Sequence, residues 1–213
     1  MGTLRLVALV SGSGRNLQSI IDAIDRGELE AEIAGVISSR RQAYAVERAK
    51  NHGLPVEVVH RKGYASDGEF LAALDEAINR FAPDLIVLCG FLSFLSEATV
   101  ARYRHRIMNI HPSLLPAFGG KNYYGANVHE KVLEYGAKVT GCTVMFVDEG
   151  EDTGPIILQS AVPVLEDDTV ESLQDRVLQE EYKLYPEAIR LFAAGRLRVE
   201  GRRVRLLPQE VPE

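Results

Sequence analysis

The sequence predicts an α/β fold, an open and mostly parallel sheet with helices on both sides. Three observations carry this expectation. Strand-like and helix-like runs alternate along most of the 213 residues, which is the order that builds parallel sheets. The run Leu85-Ile86-Val87-Leu88-Cys89 is apolar throughout, as a strand covered on both faces should be. Glycine and proline stand where the runs change type.

In chain order, Leu4 to Val10 reads as a first strand, bounded by Ser11-Gly12. Leu17, Ile20, Ile21 and Ile24 recur at helical spacing until Gly27 stops them. Glu32 to Ser38 is a second strand and Ala43 to His52 a helix, ended by Gly53 and followed by Pro55. Val56 to Val59 is a third strand. Phe70, Leu71, Leu74, Ala77 and Ile78 mark a helix that stops before Pro83, and Asp84 to Cys89 is the apolar strand. A short helix from Ser96 to Tyr103 precedes the strand Arg106 to His111, which Pro112 ends. Residues 113–126 form a Gly-, Pro- and aromatic-rich loop of functional character. A helix from Val128 to Tyr135 and a strand from Thr140 to Val147 follow. Asp148 to Pro155 is a polar loop and Ile156 to Val164 another strand. A long helical pattern runs from Thr169 to about Ala194, with Pro186 expected to kink or divide it. Arg196 to Leu207 alternates Arg with Leu or Val around Glu200-Gly201, the pattern of a terminal hairpin.

Twenty-four Lys and Arg against thirty Asp and Glu leave a net charge of -6, which argues against a broad nucleic-acid or membrane-surface binder. No apolar run approaches the ~20 residues of a membrane helix. The start shows no signal-peptide pattern, and Cys89 and Cys142 each lie in an apolar run. A reduced, cytoplasmic protein is the simplest reading. The two cysteines lack nearby histidine spacing and make no zinc site.

In parallel sheets ligands bind beyond the carboxyl ends of the strands, so the loops after those ends hold the candidates. Ser11-Gly12-Ser13-Gly14-Arg15-Asn16 joins a strand to a helix. Its glycines let the backbone approach a ligand, and the helix start attracts a phosphate. Arg15 can add a bidentate contact, and Asn16 can cap the helix or donate to the anion. A dinucleotide fingerprint wants a third glycine where Leu17 stands, and an acid where Ser38-Ser39-Arg40-Arg41 stands. NAD is disfavoured, NADP stays open through Arg40 and Arg41, and a phosphate monoester suits the short loop better.

In Asn109-Ile110-His111 the polar side chains are two residues apart and share one side of a strand. Asn can donate to an oxyanion and His can relay protons, the needs of acyl transfer. In isolation, a His before a Pro at a strand end is more often a satisfied structural group. The acidic loop Asp148-Glu149-Gly150-Glu151-Asp152-Thr153-Gly154-Pro155 lacks EF-hand spacing. A carboxylate from it beside His111 would fix the tautomer and favour the charged ring.

Together these loops resemble the phosphoribosylglycinamide formyltransferases, the folate-dependent transformylases of purine synthesis. The resemblance runs from about residue 4 to about residue 194. It rests on Ser11-Gly12-Ser13-Gly14-Arg15-Asn16-Leu17-Gln18, Asn109-Ile110-His111-Pro112-Ser113-Leu114-Leu115-Pro116 and Asp152-Thr153-Gly154-Pro155-Ile156-Ile157. It implies a Rossmann-like αβα sandwich with a mostly parallel central sheet, the formyltransferase fold. It implies one domain over residues 1–213, with a phosphate-binding half at 1–105. The catalytic and folate-binding half, at 106–213, ends in the helix and hairpin. By position, Gly14, Arg15 and Asn16 would hold the substrate phosphate and Glu181 the ribose hydroxyls. Asn109, His111 and Asp152 would be the catalytic set. Leu92, Ser93, Phe94 and Leu95 would line the pteridine pocket, with Asn109, Asp148 and Asp152 also facing the folate. The co-substrate would be 10-formyltetrahydrofolate, with no metal.

The sequence departs from the family pattern in three places. Arg15 replaces a small hydroxyl residue common there. Ser66-Asp67-Gly68-Glu69 lacks a folate-contacting Arg for which Arg61 or Lys62 could substitute, and the loop Ala117 to His129 is longer than in some relatives. A hydrolase that deformylates the folate would share Asn109, His111 and Asp152. A tRNA formyltransferase would need a further basic domain, and the tail's Arg196, Arg198, Arg202, Arg203 and Arg205 give only a narrow strip. The expected partners are small molecules, without nucleic acid or membrane. Monomer and homodimer are both left open.

Overall fold

The structure, a computed structural model, describes residues 2–208. Among them the chain forms nine strands and six α-helices around a central sheet of mostly parallel strands. It falls into two compact units that divide between Asn109 and Ile110.

The first unit contains β1 (Leu4–Val10), α1 (Arg15–Asp25), β2 (Ala31–Ser38), α2 (Tyr44–Asn51) and β3 (Val56–Val58). A 3-10 turn at Arg61–Gly63, α3 (Asp67–Arg80), β4 (Leu85–Cys89) and α4 (Glu97–Arg102) follow, and β5 (Ile107–His111) carries the chain across the division. These strands run parallel in the order β3-β2-β1-β4-β5. Leu6 to Val10 and Leu85 to Val87 are wholly buried, which explains their unbroken apolar sequence. α1 buries Leu17, Ile20 and Ile21, the helical stripe seen in the sequence. Ser66 caps α3 by accepting from the Glu69 amide at 3.2 Å, and Glu69 accepts from the Ala65 amide at 3.0 Å. β1 lies between β2 and β4, so the connections leaving β1 and β4 part from each other at their carboxyl ends.

The second unit contains α5 (Ala126–Tyr135), β6 (Val139–Phe146), β7 (Ile156–Pro163), α6 (Val170–Ala193), β8 (Leu197–Glu200) and β9 (Arg203–Leu206). Its strand order is β6-β7-β9-β8. β6 and β7 are antiparallel, and β8 and β9 form the expected hairpin, with β9 parallel to β7 at Ile156 and Arg203. Val177 of α6 packs with Cys142 and Val162, against Leu184. Thr169 and Ser172 close a reciprocal capping box at the start of α6.

Pro186 does not divide the long helix: α6 is continuous over 24 residues with the proline inside it. The lost backbone donor is outweighed by burial on both sides, because Tyr185, Ala188, Ile189 and Leu191 are all in the core. No described helix is long and apolar enough to cross a membrane.

Candidate active site

The loop after β1 turns into α1 through Gly14, which sits at φ 70°. Two constraints demand glycine there. The left-handed backbone disfavours any Cβ, and a Cβ would stand 2.6 Å from that of Ala45. α2 holds the loop through its carbonyls: the Ala45 amide donates to Gly12 O at 3.1 Å and Arg48 Nε to Ser13 O at 2.8 Å. Gly14 O accepts from the Gln18 amide at 3.0 Å as the first helical bond. An anion needs N–H groups, and anchors that end on carbonyls consume none of them. Gly14 itself is the cap residue of α1, with no side-chain cap, so Asn16 lies inside the first turn and does not cap the helix. Its place in the turn is two residues past the cap, because the left-handed Gly14 starts the helix earlier than a side-chain cap at Asn16 would.

The same unit places Leu92, Ser93, Phe94 and Leu95 in the turn after β4, between Gly90 and α4. Leu92 is 47% and Phe94 70% exposed, both large apolar side chains on a short segment. The Leu92 amide is tied down at 2.8 Å to Ser11 Oγ. Arg61, an expected stand-in for the folate-contacting arginine, is engaged with Asp67 and with the Tyr64 carbonyl at 3.1 Å.

β5 brings Asn109 and His111 to one side of the strand, with Ile110 opposite. Asn109 is half-buried, while His111 is only 4% exposed. His111 Nδ1 lies 3.3 Å from Asp152 Oδ2, and His111 Nε2 lies 2.8 Å from the Phe118 carbonyl oxygen. A carbonyl only accepts, so Nε2 carries a proton in this contact. Asp152 is positioned in turn by the Gly120 amide, which donates to Oδ2 at 2.9 Å. Its backbone is left-handed, at φ 55°, a conformation that Asp tolerates better than most residues.

Side chains build the loops on either side of this pair. Ser113 Oγ donates to Ala117 O at 2.6 Å. Thr143 Oγ1 donates to Ser113 O at 2.7 Å, and it accepts from the Leu115 amide at 3.1 Å and from Gln159 Nε2 at 2.9 Å. In the acidic loop, Asp148 accepts from the Gly150 amide at 3.1 Å and from Thr153 Oγ1 at 2.6 Å, so it braces the loop from inside. Gly154 passes so close to β6 that a Cβ would collide with the Phe146 carbonyl oxygen. The hairpin reaches this loop too, as Arg202 donates to Thr153 O at 2.9 Å.

Glu181 is buried on α6, whereas Glu180 accepts from Ser160 Oγ at 2.7 Å and pairs with Lys183 at 2.8 Å. Lys183 and Ser160 hold the Glu180 carboxyl below the usual range. Burial, with the nearby Glu181 charge, pushes the Cys142 thiol up to about 12, which leaves it protonated and inert. No cluster of three or more His, Cys, Asp or Glu among the described residues could hold a metal ion.

Sequence reasoning missed Phe118, Gly120, Thr143 and Gln159 as positioning groups. Phe118 and Gly120 act through backbone atoms that every residue type offers, so no side-chain signal marks them. Thr143 could have been flagged as a polar residue inside the apolar β6 run.

The model of the formyl transferase family matches residues 4–189. A phosphoribosylglycinamide formyltransferase of Haemophilus influenzae is 40% identical over 196 residues, covering 92% of this chain and 90% of that one. The trifunctional purine biosynthetic protein adenosine-3 of Bos taurus is 43% identical over 195 residues, and the match covers 92% of this chain but 19% of that protein. The chain therefore spans about a fifth of such multifunctional relatives. Among solved structures, glycinamide ribonucleotide transformylase 1 from Symbiobacterium toebii superposes with a TM-score of 0.92 at 48% identity, over 98% of this chain and 96% of that one. With the motif loops, the fold and full-length relatives in agreement, the chain belongs to the formyl transferase family, among its phosphoribosylglycinamide formyltransferases.

Proposed function

We propose that the protein transfers the formyl group of 10-formyltetrahydrofolate to the terminal amine of N1-(5-phosphoribosyl)glycinamide, a step of purine biosynthesis. The observation that carries this reading is the His111–Asp152 pair, fixed at the end of an Asn-Ile-His-Pro strand in a chain of this family. Gly14, Arg15 and Asn16 hold the ribose phosphate through helix-start amides and a guanidinium. Glu181 accepts from the ribose hydroxyls. Leu92, Ser93, Phe94 and Leu95 receive the pteridine, and the exposed apolar surface of Leu92 and Phe94 suits a flat aromatic ring. Asp148 shapes the folate loop. The chain acts as one formyltransferase domain, the first half serving the phosphate and the second the chemistry. The two buried free thiols suit a reducing, cytoplasmic compartment.

The folate supplies the formyl carbon and a nitrogen that needs a proton when it leaves. The substrate amine adds to that carbon as the carbonyl π pair moves onto oxygen, and collapse of the resulting tetrahedral intermediate breaks the bond to the folate nitrogen. Asn109 donates to the oxygen of the tetrahedral intermediate, a contribution of roughly 3–4 kcal/mol. The Phe118 carbonyl retains the Nε2 proton and orients the ring. Proton exchange then falls to Nδ1, whose 3.3 Å contact with Asp152 is the looser one. Asp152 stabilises the charged ring while the amine's proton passes, through Nδ1 and water, to the leaving nitrogen.

Incubation with 10-formyltetrahydrofolate and a set of amines tests this. Tetrahydrofolate should appear only when phosphoribosylglycinamide is present. Release without any amine would make the protein a hydrolase, and tight NADPH binding without folate binding would overturn the reading. His111→Ala should lower turnover about 10²–10⁴-fold. An unchanged rate with unchanged folate affinity would remove His111 from the mechanism.

A further inference from the structure

One buried hydroxyl in the first unit does work that the proposed mechanism does not use. Ser11, the residue directly after β1, is 1% exposed. Its Oγ accepts from the Leu92 amide at 2.8 Å and lies 2.5 Å from Ser39 Oγ. Ser39 follows β2 directly; its amide donates to Val10 O at 3.0 Å, and its carbonyl meets His60 Nδ1 at 2.9 Å. A hydroxyl has one proton to give and two lone pairs to fill. With one lone pair of Ser11 taken by Leu92, its hydroxyl also pairs with that of Ser39. The result is a three-way clamp on the carboxyl ends of β1, β2 and β4.

The clamp joins two loops of different character. Ser11 begins the glycine loop, whose next residues lead to Gly14, Arg15 and Asn16. Leu92 begins the apolar segment that displays Leu92 and Phe94. Exposed apolar side chains present a defined wall to a ligand only when their backbone is held. The Leu92 amide is held by Ser11, and Gly90 before it sits in the left-handed region at φ 69°.

We infer that Ser11 is a positioning residue that pre-shapes the Gly90–Leu95 segment for the folate and ties it mechanically to the glycine loop. Ser11 touches neither reacting group. Its effect falls on folate affinity. This inference rests on the assignment of Leu92 to Leu95 to the folate in the proposed function.

The test uses the full-length protein with Ser11→Ala and Ser39→Ala. Exchange of the Leu92 amide with deuterium reads the clamp without any ligand. It should speed up at least tenfold in Ser11→Ala, while the β1 amides keep wild-type rates. Titration with 10-formyltetrahydrofolate should show Kd raised about five- to tenfold, with the Kd for phosphoribosylglycinamide within twofold and kcat at saturation within threefold. Ser39→Ala keeps the Leu92 bond and should shift folate Kd two- to threefold in the same direction; it also serves if Ser11→Ala does not fold. Unchanged Leu92 exchange, an unchanged folate Kd, or an equal rise for both ligands would overturn the inference. Failure of the wild type to bind folate would instead overturn the proposed function, and the exchange measurement would still report on the clamp.

Discussion

The glycine loop after β1 and the two loops around His111 are held by different kinds of contact. Past the Ser11 clamp, residues 12–14 of the first are anchored by their own backbone carbonyls, Gly12 O, Ser13 O and Gly14 O, together with the close approach of Ala45 to Gly14. The loops at 113–120 and 148–154 are held by side chains: Ser113, Thr143 and Gln159 in one, Asp148 and Asp152 in the other. The difference fits the roles proposed for the two regions. An anion cradle must keep amides available, so carbonyls do the anchoring. A histidine that exchanges protons must keep one orientation, so hydroxyls and carboxylates are placed to fix the backbone oxygen and the carboxylate that touch it.

Substitutions can break this contrast. Gly14→Ala should be the most damaging. The left-handed backbone costs about 1–2 kcal/mol, and the overlap with Ala45 costs about 1–3 kcal/mol more. Thermal melting should register the loss, and phosphate titration should weaken with it. Thr143→Val comes next, because the Leu115 amide and the Gln159 amide group lose an acceptor at about 1–3 kcal/mol. Urea unfolding should show it, and turnover should fall with stability because the segment bearing the Phe118 carbonyl loosens.

A carboxylate outside both regions supplies a control. Asp168 accepts from the Leu165 amide at 2.8 Å and from Ser172 Oγ at 2.7 Å, and it forks onto Arg176 at 2.5 and 2.8 Å. The Arg176 hydrogen bonds hold its carboxyl well below the ordinary 3.8. A depressed folded-state value stabilises the fold above the unfolded-state value, and that contribution is lost as acid titrates the folded group. Asp168→Asn should cost about 1–2 kcal/mol at neutral pH, and the gap to wild type should shrink steadily below about pH 4. A gap that stays constant into acid would deny the ion pair its role. The smallest effect is expected from Arg202→Ala, whose exposed bond to Thr153 O should be worth about 0–1 kcal/mol. A larger loss in turnover than in stability would show that the hairpin steadies Asp152.

Much of the fold was legible in the sequence because burial writes itself into side-chain pattern. β1 is bounded at the same residues, Leu4 and Val10, by pattern and by structure. The hairpin followed from strict alternation around Glu200-Gly201. Two features were not legible. The uninterrupted α6 depends on how the residues flanking Pro186 pack, and the 3-10 turn at Arg61–Gly63 has no periodicity to detect. In the candidate site, the residues proposed to carry the chemistry, Gly14, Asn109, His111 and Asp152, stand out in the sequence by residue type. Partners that contribute a backbone oxygen or amide, Phe118 and Gly120, left no mark, since any side chain could accompany those atoms.

The left-handed backbone of Asp152 has a consequence for evolution and for experiment. At φ 55° the position favours glycine and residues with a short polar side chain, which makes asparagine and glycine the least strained replacements. Asparagine preserves the shape and removes the charge; glycine preserves the turn and removes the side chain. Glutamate, the nearest residue in chemical type, keeps the charge but not the geometry. Position 152 thus offers three substitutions that separate contour, contact and charge, a dissection that few carboxylates permit.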